Sequence, residues 1–276
     1  MSAPLRHGGR IALLRTTFLI AVIVFTVFPL LWLGLASLKT RHEALAVPPA
    51  LLFEPSVAAY ANIVSSGLIG AFLNSLTIAL TNVALALCIG VPAAYALARM
   101  RGKARENLSF WVLSIRLAPL FAVILPLYVL FRGMGLLDTR IAVALAHLTL
   151  TLPLSVWLLM IYFRSLPEDL DEAAMLDGAR PWQVLLLVIV PISRPMIAPV
   201  AVNVFIFSWN EFLMAFFLTA RGTQTVPVAV VGLAGTMTFD WPLIAAISIC
   251  SMVPALLFVG FAQRHIVEGL ASGAVK

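Results

Sequence analysis

Five of the chain's twelve acidic residues, Glu168, Asp169, Asp171, Glu172 and Asp177, fall within the first ten positions of "EDLDEAAMLDGARPWQ" (168–183). Carboxylates at that density can hold metal ions or meet basic groups on another surface. A second polar set, Asn82, Asn203, Asn210 and Glu211, lies inside long apolar runs. Polar side chains in such surroundings are costly and face a cavity or a partner. They would either line a route for a hydroxyl-rich molecule or hydrogen-bond one helix to the next. Catalytic motifs are missing, since neither HExxH nor GxSxG occurs. The two cysteines, Cys88 and Cys250, both sit in apolar runs, which excludes a disulfide scaffold and a cysteine metal cluster.

The elements that position these residues are membrane spans. The chain of 276 residues is 62% hydrophobic and 11% charged, with a mean hydropathy of +1.05. Soluble domains carry about 25% charged residues, so this chain reads as an integral membrane protein. The net charge of +6 does not point to nucleic acid, because the basic residues cluster at the ends of apolar blocks. Six segments have the length to cross a bilayer: 15–37, 69–98, 108–131, 141–163, 193–219 and 241–262. They do not alternate as barrel strands would, so the expected fold is an all-α transmembrane bundle in a single domain, 1–276. Arg6, Arg10 and Arg15 precede the first run, but that run is too long for a signal-peptide core and reads as an uncleaved span.

Six spans place both termini on one side. That side would carry Arg6, Arg10, Arg15, Arg99, Arg101, Lys103, Arg105, Arg164, Arg180, Arg194, Arg264 and Lys276, against Lys39, Arg41, Arg132, Arg140 and Arg221 on the other. The positive-inside rule then makes both termini, the 99–107 loop and the acidic stretch cytoplasmic. Ser165 and Glu168 have capping-box spacing with Pro167 in the first turn, and Gly178 suits a C-terminal stop with positive φ. A helix over 166–177 follows, with Leu170, Ala173, Ala174 and Asp177 on one narrow stripe. Such a stripe could receive another surface, or the helix could simply join spans four and five.

Asn203 and Asn210 are seven residues apart and share a face of span five, with Glu211 adjoining. Arg116, inside span three, is expected to snorkel or to pair with a carboxylate or backbone carbonyls. His147 reads as a packed, hydrogen-bonded histidine. Pro92, Pro119, Pro126 and Pro153 are expected to kink their helices.

"EAAMLDGARPWQVLLLVIVP" resembles the cytoplasmic signature of prokaryotic ABC-importer permeases, through Glu172, Ala173, Ala174, Asp177, Gly178 and the Val188–Pro191 ending. Val190 replaces the usual Leu before Pro191, and Leu187 stands where many sugar permeases have a basic residue. "FPLLWLGLASLKT", "NSLTIALTNVALALCIGVPAAYALARMRGKA", "LPLYVLFRGMGLLDT", "FSWNEFLMAFFLT" and "QRHIVEGLASGAVK" are similar to the carbohydrate branch, in its shorter six-span, maltose-type form. The resemblance implies a type I importer permease of the prokaryotic inner membrane. Its segment 166–180 would be a coupling helix, with Leu170, Glu172, Ala173, Ala174, Asp177 and Gly178 docking on an ATPase. Implied partners are a second permease, two ABC ATPase subunits that bind ATP and Mg, and an extracytoplasmic solute-binding protein. The solute would be a sugar, or alternatively a polyol or glycerophosphate-type compound. No cofactor and no bond chemistry are expected in this chain.

Two rivals are weaker. "DGAR" at 177–180 resembles the aspartate motif of CDP-alcohol phosphotransferases, but the earlier aspartate is replaced by Ala174 and 181–200 contains none. A secondary transporter or channel would need an ion-coupling cluster or filter, and Glu211 with Arg116 is thin support for one.

Overall fold

The computed structural model describes residues 7–234 and 239–273; Arg6, Lys276 and the end of the tail motif lie outside them. Every regular element among the described residues is helical. The chain divides into two compact units, Met1–Ser66 with Leu233–Cys250, and Gly67–Gly232 with Ser251–Lys276.

In the first unit, α1 (His7–Ser37) holds an apolar span at Leu14–Ser37 with no part of its most apolar window buried by the chain. Beyond it, Lys39 is buried and its ammonium lies over the rings of Trp32 (5.2 Å) and Phe53 (5.1 Å). Two short helices follow, α2 (Arg41–Ala44) and α3 (Ala58–Ser65).

The second unit is built around α4 (Ile69–Arg99), which reproduces the expected second span. After α4 come α5 (Lys103–Ser114), α6 (Leu120–Gly133) and α7 (Arg140–Ser165). Along α4, Ile78, Asn82, Ala86, Gly90, Ala94 and Ala98 recur every four residues and are all buried. This ridge of mostly small residues brings α7 close: a Cβ on Gly90 would meet Leu152, Ser155 and Val156 side chains at 3.5–3.7 Å. In lipid, apolar burial gives little net drive, so such close packing and polar bonds between helices hold the bundle.

Two expected spans are not continuous. Segment 108–131 is a broken pair, Lys103–Leu117 and Leu120–Gly133, bent by 89°. The break has a local cause: Ala118 precedes Pro119 and takes an extended conformation (ψ 133°). Arg116, at this bend, lies over the Phe207 ring at 5.7 Å. Its guanidinium thus has an aromatic partner that the sequence did not indicate. Pro92, Pro126 and Pro153 lie inside α4, α6 and α7.

Segment 193–219 also breaks. The chain runs through α8 (Asp169–Leu176), α9 (Pro181–Gln183), a π-helical stretch Val184–Ile189 and α10 (Val190–Ile192). It then bends by 84° into α11 (Arg194–Asn210). It breaks again at Glu211–Phe212 before α12 (Leu213–Leu218) and α13 (Val226–Ala234). Last comes α14 (Trp241–Gly273), whose apolar part Trp241–Gln263 matches the expected final span. Among the described residues, four helices are long and apolar enough to cross a membrane, or up to six if each bent pair is one span.

Candidate functional site

The acidic loop helix is shorter than its pattern predicts. The chain leaves α7 at Leu166, which is extended (ψ 135°) because Pro167 follows. Ser165 Oγ donates to the Tyr162 carbonyl at 2.7 Å, so the expected capping box with Glu168 does not form. Instead α8 starts from Glu168 without a side-chain cap. Asp169, Asp171 and Glu172 occupy its first turn, where the helix dipole favours them. The C-terminal end follows expectation. Gly178 has φ 87°, its N–H donates to Met175 O (3.0 Å), and the Ala179 N–H donates to Ala174 O (3.0 Å). These paired bonds form a Schellman motif, and its left-handed position suits glycine.

What orients α8 is a charge pair that pattern reading missed. Asp171 is buried. Its Oδ2 meets Arg99 Nη2 at 2.5 Å, and its Oδ1 accepts from the Tyr95 hydroxyl at 2.5 Å. Arg99 Nη1 also donates to the carbonyls of Phe163 (3.1 Å) and Leu166 (3.4 Å). Turning Asp171 inward rotates the expected stripe. Leu170 and Ala174 become half-buried, and Ala174 packs against a cluster holding Phe163, Val184 and Leu185. Glu172, Ala173, Asp177 and Gly178 stay exposed, joined by Met175 and by Leu176, which is 90% exposed. A signal for the pair existed: Tyr95 and Arg99 are four apart and so share a face of α4. Outside it, Arg101 pairs with Glu168 at the surface.

The second polar set separates into two groups. Asn203 and Asn210 lie together on an exposed face of α11, with Asn210 Nδ2 donating to Ile206 O at 2.8 Å. Asn82 and Glu211 are not on that face. Asn82 is fully buried, donating to Ala144 O (3.0 Å) and accepting from Thr151 Oγ1 (3.0 Å), so it ties α4 to α7. Glu211 is buried at the break after α11. Its carboxylate accepts from the N–H groups of Met214 (3.0 Å) and Ala215 (3.2 Å), capping α12. It also meets His147 Nε2 at 3.0 Å, while His147 Nδ1 lies 2.8 Å from Ser208 Oγ. An Nε2–H tautomer satisfies both contacts, donating to Glu211 and accepting from Ser208. His147 is thus packed and hydrogen-bonded, as expected. The polar atoms of Asn82 and Glu211 are thus engaged by partners inside the bundle.

Comparison with known proteins places this arrangement. Residues 86–272 match the family described as binding-protein-dependent transport system inner membrane component. The trehalose transport system permease protein SugB of Mycobacterium tuberculosis is 37% identical over 262 residues, covering 92% of this chain and 94% of that protein. The trehalose/maltose transport system permease protein MalG of Thermococcus litoralis is 33% identical over 272 residues, covering 97% of each. A bacterial ABC transporter involved in the import of the acidic polysaccharide alginate shares the fold, with a TM-score of 0.79 at 20% identity over 96% of this chain and 99% of that one. The chain therefore belongs to the family of inner-membrane components of binding-protein-dependent transport systems, as a multi-pass permease subunit.

Proposed function

We propose that the chain is the permease of an ATP-driven importer of a sugar or a related polyhydroxylated solute, and that α8 is its docking helix for an ATPase subunit. The build of α8 carries this reading. Its buried side is bonded to the bundle, and its outer side presents Ala173, Leu176 and Gly178 beside the carboxylates of Glu172 and Asp177. Small residues admit close approach, and an exposed leucine flanked by charge suits a cleft with an apolar floor and basic rim.

Counting each bent pair as one gives six spans in a single permease domain. The balance of basic residues then makes both termini and α8 cytoplasmic. A second permease completes the pathway and a solute-binding protein delivers the solute. Two ATPase subunits bind ATP and Mg, and this chain holds no cofactor. Relatives named for trehalose and maltose transport support the solute class. Asn203 and Asn210 form the polar face offered to the pathway.

The test is Gly178→Val in the complete transporter, with uptake of radiolabelled trehalose and maltose measured beside ATP hydrolysis. The left-handed φ excludes a β-branched residue without reshaping the turn. Uptake should fall while insertion and hydrolysis persist. Full uptake at normal expression defeats the docking assignment.

A further inference from the structure

We propose that Arg99 is the positioning residue through which α8 moves the bundle, making the last turn of α4 the receiver of the ATPase stroke. The proposal rests on the reading of α8 as the docking helix and adds the route by which its displacement travels. Covalently, α8 is joined to the end of α7 through Leu166–Glu168 and, through the turn at Gly178, to α9 and the π-helical stretch, but neither link reaches α4. The Arg99 route joins α8 directly to two long, closely packed helices.

Geometry favours the second route. Both oxygens of Asp171 are held from α4, Oδ1 by Tyr95 and Oδ2 by Arg99. The two donors are one turn apart on a single helix, so α8 cannot slide along the α4 axis without losing one of them. The same guanidinium bonds the carbonyls of Phe163 and Leu166 at the end of α7. One planar group thus fixes three segments in register: α8, the end of α4 and the end of α7. A lysine could not do this, because its ammonium is a point charge without the forked donors. Burial matters as well. Side-chain exposure is 18% at Arg99 and 9% at Asp171, so the pair is poorly screened and separating it leaves a charge inside the protein. The surface pair Arg101–Glu168 has no such constraint.

The test uses the complete transporter, purified with its ATPase and partner permease in lipid nanodiscs. Spin labels are placed at Asp169→Cys in α8 and Ala84→Cys in α4, with Cys88 and Cys250 changed to serine. Their separation is measured without nucleotide and with ATP in the absence of magnesium. If α8 and α4 move as one body, the separation shifts by no more than about 2 Å between the states, whereas a slip of about 5 Å, one helical turn, overturns the proposal.

Arg99→Gln should broaden that distance when ATP binds and cut trehalose or maltose uptake about tenfold, while hydrolysis and ATPase attachment remain. Arg99→Lys should behave like Arg99→Gln. The exchange Arg99→Asp with Asp171→Arg should recover part of the uptake and narrow the distance again. Arg99→Gln with a narrow distance and normal uptake overturns the proposal. So does detachment of the ATPase from the Arg99→Gln complex, which would make Arg99 a support of the docking surface alone. Docking itself is read separately, by crosslinking from Ala173→Cys to the ATPase. Absence of that crosslink removes the docking reading. Its presence with a shifted α8–α4 distance removes only the role of Arg99.

Discussion

Asp171 beneath α8 and Glu211 at the α11–α12 break are both buried carboxylates, yet they do different work. Glu211 takes two of its partners from residues three and four positions ahead, so it builds the turn it sits in. Its third partner, His147, closes a chain of hydrogen bonds inside the bundle. Asp171 takes its partners from α4, about seventy positions earlier in sequence. It shapes little of α8 itself and attaches that helix to something else. A carboxylate that caps its own break is part of the fold, whereas one that bridges a loop to a bundle can be removed with the bundle intact.

The sharpest break of this comparison is Glu211→Ala. It strips the partner from His147 and from two buried N–H groups, and should cost about 3–5 kcal/mol. Thermal unfolding in detergent should show a large drop in melting temperature and a loss of folded chain. Glu211→Gln, which can still accept hydrogen bonds, should lose less. An alanine variant as stable as wild type would end the structural reading of Glu211.

Asp171→Ala should reverse the balance. Arg99 Nη1 keeps its two carbonyl partners, so the stability loss should be about 1–3 kcal/mol. Uptake should fall much further than stability does. Melting and uptake measured on one preparation decide the point, and equal losses in both would erase the distinction between the two carboxylates.

Tyr95→Phe removes one hydrogen bond and keeps the Arg99–Asp171 contact. A bond to a charged group contributes about 1.5–3 kcal/mol, so an intermediate uptake defect is expected, measurable as a reduced rate with normal assembly. Arg101→Ala sits lower still. Its pair with Glu168 has side-chain exposures of 82% and 50%, and such pairs contribute about 0.2–1 kcal/mol. Uptake indistinguishable from wild type is expected, and a strong defect would give the surface pair a share of the coupling.

The smallest effect belongs to Glu43, a carboxylate of the first unit. Thr40 donates to it from its hydroxyl (2.7 Å) and from its backbone N–H (2.9 Å), and these bonds hold its pKa below the ordinary 4.5. A lowered pKa stabilises the folded state above the ordinary value, and that stabilisation is lost as the pH falls through the lowered one. Fraying of α2 should therefore appear only below pH 4.5, read by titrating the Glu43 signal by NMR. Fraying at neutral pH would contradict the cap.

The amino-acid sequence by itself determined four of the apolar spans, the acidic loop, the stop at Gly178 and the family. Each rests on local information: run length, composition, a glycine that tolerates positive φ, and a motif read in order. The bend at Ala118 was also legible, since a residue before proline leaves the helical region, although the span was read as continuous. Only the tertiary structure decided which side of α8 turns inward, what Glu211 meets across the bundle, and which asparagines stay exposed. Those outcomes depend on partners distant in sequence: Arg99 for Asp171, His147 for Glu211, Thr151 for Asn82. A buried polar group takes whichever donor the packed helices bring within about 3 Å. That pairing arises when α4, α7 and α11 come together in space.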